Sequence, residues 1–236
     1  MVLSVFSDVL RMALTPVIME VKRQGADGED LLAGRSVREI VDAYHDLGTP
    51  CLSVVTGSWF GGDDALLREV AALTDRPILK KDFITSERQI VEAKAMGAAA
   101  VLLTAELLPG SLTARLVRIC LRHAVTPFVE VSSSTQLERL GDARGCVVAV
   151  SNKDIRRRER GEPQIERSLA LLPAVLGSGA DCAVSASGIA GPDVAARLLD
   201  AGFDALLVGT ALLTAGDAPG WLEALELRRR TERVTI

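Results

Sequence analysis

A single (β/α)8 barrel, the TIM-barrel class, is the fold this sequence predicts, and three observations carry the prediction. Eight short apolar runs recur along the chain, separated by amphipathic helical patterns. The runs are built of Val, Leu, Ile and Ala and mostly do not alternate with polar residues, as expected of parallel strands covered on both faces. Several end in charged or small polar residues, and a barrel of this kind carries its site at the C-terminal ends of its strands.

The strand runs fall at 16–22, 51–56, 77–82, 99–104, 126–132, 146–151, 181–185 and 204–208. Helical periodicity lies between them at 36–47, 64–73, 86–96, 111–123, 134–140, 165–176, 192–201 and 219–229. Punctuation agrees: Ser86 precedes Glu87 and Arg88, Gly97 closes that helix, Gly191-Pro192-Asp193 opens another, and Gly48 and Gly202 stand where C-caps are needed. A doubly wound open sheet would have fewer strands and a glycine-rich first turn. Gln24-Gly25-Ala26-Asp27 is not such a turn.

The 236 residues show no linker, low-complexity segment or short repeat, so residues 1–236 are expected to form one domain. A hydrophobic content of 48% with only 3% aromatics suits an aliphatic core rather than a sandwich rich in Tyr and Trp. A net charge of −4, one Tyr and two Trp give no basis for nucleic-acid binding. No apolar run has membrane-spanning length free of charges or turns, and Met1-Val2-Leu3-Ser4 lacks a basic leader, so a cytoplasmic protein is expected. Cys51, Cys120, Cys146 and Cys182 are widely spaced and only two histidines are present, so free buried thiols are expected, with no metal or cofactor.

The chemistry sits at strand ends. Pro77 to Phe83 is an apolar run ending in Lys80-Lys81-Asp82-Phe83, and a lysine delivered into a buried site must be paired or lose its charge. The first strand carries Glu20 and Lys22, two apart and so on one face, and the fifth carries Glu130. The sixth supplies Ser151, Asn152, Lys153 and Asp154. Such charges need only satisfy one another in a polar top layer, but several on three strands point to one working site. Ser187-Gly188 after strand seven and Gly209-Thr210 after strand eight occupy the loops where these barrels bind phosphate. Trp59-Phe60-Gly61-Gly62 reads equally as a loop plug or as the wall of an aromatic pocket. His45 and His123 lie in helical segments, away from the chemistry. Residues 153–166, with Arg156-Arg157-Arg158, read as a solvated loop or as an anion-attracting lid.

From about residue 16 onward these segments resemble the indole-3-glycerol phosphate synthase family. The shared segments are Glu20-Val21-Lys22-Arg23, Ser53-Val54-Val55-Thr56 with Phe60-Gly61-Gly62, Leu79-Lys80-Lys81-Asp82-Phe83 and Phe128-Val129-Glu130-Val131. They continue in Ala149-Val150-Ser151-Asn152-Lys153-Asp154-Ile155, Ala186-Ser187-Gly188-Ile189 and Leu207-Val208-Gly209-Thr210. The resemblance implies closure of a pyrrole ring on an anthranilate-derived aminodeoxyribulose phosphate, with loss of carbon dioxide and water. It implies Lys81 as the acid at the ketone oxygen, with Lys80 an outward, solvated neighbour. Glu20, Lys22 and Glu130 would handle later proton transfers, and Phe60 and Phe83 would flank the aromatic ring. Ser151, Asn152 and Lys153 would contact substrate, and Ser187, Gly188, Gly209 and Thr210 would hold its phosphate.

The departures are specific. The glutamate of the family's E-S-G-I is Ala186, an asparagine is Ser151, and an arginine is Lys153, which cannot grip a carboxylate in bidentate fashion. The phosphate-loop serines after the first strand are replaced by Gly25-Ala26-Asp27, and the segment before that strand is cut to about 15 residues, taking the strand start from periodicity. Two alternatives to the family reaction therefore stay open: a diverged lyase or cyclase for another phosphorylated carbonyl compound, and a non-catalytic barrel acting as a partner protein. A monomer or weak homo-oligomer is expected.

Overall fold

The apolar runs become eight parallel strands that close on themselves in sequence order. In the computed structural model, which describes residues 5–234, these are β1 Val17–Val21, β2 Leu52–Val55, β3 Ile78–Lys81, β4 Ala100–Thr104, β5 Thr126–Val131, β6 Val147–Ser151, β7 Cys182–Ala186 and β8 Ala205–Val208. Each lies within one residue of its expected bounds. The register sets Glu20 beside Ser53, Thr104 beside Glu130 and Ser151 beside Ala186, and Met19 beside Val208 closes the ring.

The helices are α1 Val5–Met12, α2 Val37–Asp46, α3 Asp64–Ala71, α4 Glu87–Ala95, α5 Gly110–Arg122, α6 Ser134–Leu140, α7 Ile165–Gly177, α8 Pro192–Ala201, α9 Thr210–Thr214 and α10 Ala218–Val234. Local signals set their starts: Ser36 and Ser86 form capping boxes with Glu39 and Gln89. The expected pattern omits α1 and α9. Neither is long enough to be stable alone, so tertiary contact decides both.

The strand pleat sorts the core into two sets. Val17, Met19, Val21, Leu52, Val54, Val129, Val148 and Val150 face the helices. Ile18, Leu79, Leu102, Phe128, Val147, Ala149, Val184 and Leu207 fill the barrel. Many barrel-lining residues are small, so the lower end needs a plug, and α1 supplies it. Phe6 and Leu10, four apart, are fully buried in that interior set, and the Phe6 ring meets Phe128 edge-on at 6.3 Å between centroids. All four cysteines are buried free thiols. Among the described residues no helix is long and apolar enough to cross a membrane.

Removing the plug leaves a cavity the strands cannot close. Phe6→Ala should destabilise the chain by about 3–5 kcal/mol, read as a lower urea midpoint with an unchanged slope. Wild-type stability in that variant would show that α1 merely rests on the barrel.

Candidate active site

The pleat that turns Ile18, Leu79 and Phe128 inward also turns in the residues two positions further along: Glu20 and then Lys22, Lys81, and Glu130. The barrel's top layer is therefore ionic. Glu20 stands between two ammonium groups, with Lys81 Nζ 3.1 Å from Oε2 and Lys22 Nζ 3.7 Å from Oε1. Ser53 Oγ donates to Glu20 Oε2 at 3.2 Å, and the Tyr44 hydroxyl donates to the Glu20 carbonyl at 3.0 Å. Gly209 is required here for space, since a Cβ there would lie 2.5 Å from Glu20 Oε1.

A further carboxylate enters from outside the strands. Glu159, eight residues beyond Ser151, brings Oε1 to 3.6 Å from Lys81 Nζ and is only 8% exposed. Reading strand ends passes over it because no strand register points to it. The only signal was the polar stretch that contains it. Its backbone and that of Arg158 are left-handed, with φ of 59° and 54°, a conformation costing about 1–3 kcal/mol per non-glycine residue.

Burial pulls the Lys81 ammonium toward neutrality, but Glu159, Glu20 and Glu130 together outweigh it and hold its pKa above the usual lysine value. Glu159 is also penalised by burial, yet Lys81, Lys22 and Lys153 bring it below the usual carboxylate range. Glu130 goes the other way. Burial, only partly opposed by Lys81 and reinforced by Glu159 and Glu20, pushes it up to about 7. Ionised acid, ammonium and protonatable carboxyl thus share one site.

Two expectations need correction. Lys80 does point outward, but it is not solvated: it is 5% exposed and bonds Asp64 at the start of α3 and Asp82 Oδ2 at 3.5 Å. Asp82 also accepts from Thr56 Oγ1 at 2.7 Å and the Phe83 amide at 2.8 Å, so Lys80 fixes the end of β3 behind Lys81. Asn152, expected to contact substrate, is fully buried within the wall. Its Nδ2 donates to Ser185 Oγ and to the carbonyls of Ala186 and Ser187 at 3.0–3.1 Å, and its Oδ1 accepts from Ser168 Oγ at 2.7 Å. No polar atom of it remains for a ligand. It ties the end of β6 to the end of β7. Ser151 Oγ donates to the Lys153 carbonyl at 3.1 Å.

The site has two compartments. On one side Phe60, Phe83, Leu102 and Ile155 line a narrow apolar slot against Lys81, Glu130 and Glu159. Lys22 Nζ lies 5.2 Å above the Phe60 ring, and Trp59 packs on Phe83 at 4.6 Å between centroids. Of the loop Trp59-Phe60-Gly61-Gly62, Phe60 therefore lines the slot and Trp59 backs its Phe83 side. On the other side a cavity of about 580 Å³ brings Lys22, Lys81 and Glu159 together with Ser187, Gly188, Gly209, Thr210 and Lys153.

The stretch after β6 roofs both compartments. Arg156 bonds Glu106 at 2.7 Å, Arg158 lies over the Trp59 ring at 5.0 Å, and Arg160 bonds Asp27 at 3.0 Å. Pro163 packs so closely on Gly188 that a Cβ there would sit 2.3 Å away. This stretch lies over the site with Arg156 and Arg160 spent on carboxylates, and Arg160 balances the one that Asp27 brings near the cavity. His45 and His123 lie apart, bonded to Thr74 at 2.7 Å and Glu87 at 2.9 Å. Among the described residues no group of three or more His, Cys, Asp or Glu side chains is arranged to hold a metal ion.

Comparison with known proteins agrees with this arrangement. Residues 4–225 match the model of the family described as Indole-3-glycerol phosphate synthase. The indole-3-glycerol phosphate synthase of Nocardioides sp. is 36% identical over 211 residues, covering 89% of this chain and 79% of that protein. That of Methanothermobacter marburgensis is 33% identical over 213 residues, covering 90% and 74%. The tryptophan biosynthesis protein TrpCD of Archaeoglobus fulgidus is 32% identical over 209 residues, and there the chain spans only 37% of the relative's length. In fold it is similar to tryptophan synthase subunit alpha from Legionella pneumophila, with a TM-score of 0.67 at 11% identity over 97% of this chain and 99% of that one. A barrel with this ion cluster, this match along nearly its whole length and these relatives belongs to the indole-3-glycerol phosphate synthase family.

Proposed function

We propose that this chain is an indole-3-glycerol phosphate synthase-like carboxy-lyase, closing an indole ring on a carboxyphenylamino-deoxyribulose phosphate in indole formation for tryptophan biosynthesis or a related specialised pathway. The observation that carries the reading is a buried ammonium, Lys81, held between carboxylates at the junction of an apolar aromatic slot and a polar cavity. The apolar slot lined by Phe60 and Phe83 is assigned to the anthranilate ring, which its aromatic lining suits and which it must widen to admit. The phosphate fits the turns at Ser187-Gly188 and Gly209-Thr210, and the ketone carbon then lies beside Lys81.

Attack by the ring carbon on the ketone places negative charge on its oxygen, and Lys81 is the group to supply a proton there. Glu20 holds Lys81 in place and keeps it charged. Loss of the substrate carboxylate as carbon dioxide restores the aromatic ring, with Lys153 offering single-point contact to that carboxylate. Departure of the hydroxyl as water needs an acid near neutrality, and Glu130, with its pKa pushed up to about 7, has the required proton. A diverged reaction on another phosphorylated carbonyl compound is the second reading. It is favoured by Ala186 and Ser151, which leave two positions at the top of the barrel without their family side chains.

Incubation with the anthranilate-derived deoxyribulose phosphate, followed by indole fluorescence, tests the first reading. Tight binding of a reduced substrate analogue without turnover would leave the second. Lys81→Ala should lower kcat by about 10²–10⁴-fold while the protein still folds, and unchanged turnover would remove Lys81 from its role. Glu130→Gln should lower kcat and yet stabilise the fold. A carboxyl raised from 4.5 to about 7 favours folding fully below pH 4.5, and that contribution is lost as pH rises through about 7. The variant should therefore exceed wild type by on the order of 1–3 kcal/mol at pH 8 and by little at pH 5, read from thermal melts. An equal difference at both pH values would contradict the raised Glu130.

A further inference from the structure

We propose that Glu159, delivered by the loop after β6, is a catalytic base that removes a proton from the substrate in the water-losing half of the reaction, an inference that rests on the function proposed above. Three structural facts carry it. The carboxylate is nearly excluded from solvent, and it stands over the ammonium that the chemistry uses, 3.6 Å from Lys81. Ser187 Oγ lies 3.4 Å from the same oxygen, so the carboxylate also serves the end of β7, where Ala186 turns only a methyl group inward. The loop is built to hold it there. The Glu159 amide donates to the Asp154 carbonyl at 3.0 Å, and the Asp154 carboxylate accepts from the Arg156 amide at 2.8 Å. Arg156, Arg158 and Arg160 pin the flanks to three separate loops around the barrel mouth.

The other two carboxyls that act on Lys81 are otherwise engaged. Glu20 has both oxygens committed, to Lys22, Lys81 and Ser53, at 3.1–3.7 Å. Glu130, driven toward its neutral form by burial, is the group placed to give a proton. Glu159 holds Lys81 and Ser187 loosely, both through Oε1.

After ring closure and loss of carbon dioxide, the former ketone carbon carries a hydroxyl and its ring neighbour carries two hydrogens. The C–O bond breaks as Glu130 gives its proton to the departing water. The neighbouring C–H bond breaks with its proton passing to Glu159 and its electron pair forming the ring double bond. Glu159 then returns that proton to Lys81, replacing the one spent on the ketone oxygen. Glu130 is reprotonated from solvent, and this is the one proton the whole reaction consumes.

The test is Glu159→Gln, which keeps shape and hydrogen bonding but cannot accept a proton. Its kcat should fall at least about 100-fold while KM stays within about threefold. The acid limb of the kcat–pH profile should vanish. Glu159 shares the site with Lys81 of β3, Glu20 of β1, Lys22 just beyond it, Glu130 of β5 and Lys153 of its own loop, and only Glu159 loses its titration in the variant. Glu159→Asp, which retains a carboxylate, should recover at least about tenfold over Glu159→Gln. A kcat within threefold of wild type, equal activity of the two variants, or a rise in KM with the acid limb intact would each overturn the proposal and leave Glu159 a part of the lid. Wild-type protein that fails to turn over the deoxyribulose phosphate would instead remove the proposed function, and this inference with it, before any variant is made.

Discussion

Burying ions in the top layer of an apolar barrel is possible only if each is answered by an opposite charge, and Glu20 is where that requirement is met. Its carboxylate touches Lys22 and Lys81 at once, with Ser53 filling a remaining lone pair. An ion left alone in such a place costs several kcal/mol after relaxation. The strand ends, the lid and the small residue at Gly209 are all arranged around this carboxylate. Two ammonium groups then stand among three carboxyls, Glu20, Glu130 and Glu159, and the balance is short of one positive charge. Glu130, with no close ammonium of its own, is the member driven toward its neutral form. A group poised to exchange a proton near neutrality thus follows from the arithmetic of burial.

Beneath this layer the barrel is chemically silent. Small and aliphatic side chains fill it, and Phe6 and Leu10 close the bottom. A packed apolar floor gives the ion cluster a fixed base, which positional control of about 0.5 Å requires. The Lys80, Asp82 and Thr56 contacts behind β3, and the Asn152, Ser168 and Ser185 contacts behind β6 and β7, do similar work in the wall. They hold neighbouring strand ends together, so the groups facing inward keep their spacing.

The departures from the family pattern make structural sense when the lid is included. Asp27 brings a carboxylate to the polar cavity, and Arg160 from the loop after β6 neutralises it. Ala186 withdraws a carboxylate from β7, and Glu159 from the same lid brings one back to that face. Both compensations come from one segment, so the loss of individual side chains on the strands does not strip the site of its charge.

The sequence by itself determined the barrel and most of its inner ring. Short aliphatic runs set the strands to within a residue, because a strand buried on both faces leaves a continuous apolar signature. The two-residue pleat then put Glu20 and Lys22 on one side without knowledge of any contact, while the choice of Lys81 over Lys80 came from the family resemblance. Sequence could not show what depends on approach between distant segments. Lys80 looks as solvated as any lysine until α3 supplies Asp64, and Asn152 looks available until Ser168 and Ser185 consume it. The inward reach of Glu159 has no periodic signal, and although Phe6 and Leu10 stand at helical spacing, α1 is too short to be stable or oriented apart from the barrel it plugs. Only the tertiary structure decided these, because a polar side chain's role is fixed by which partners the fold places within hydrogen-bonding distance.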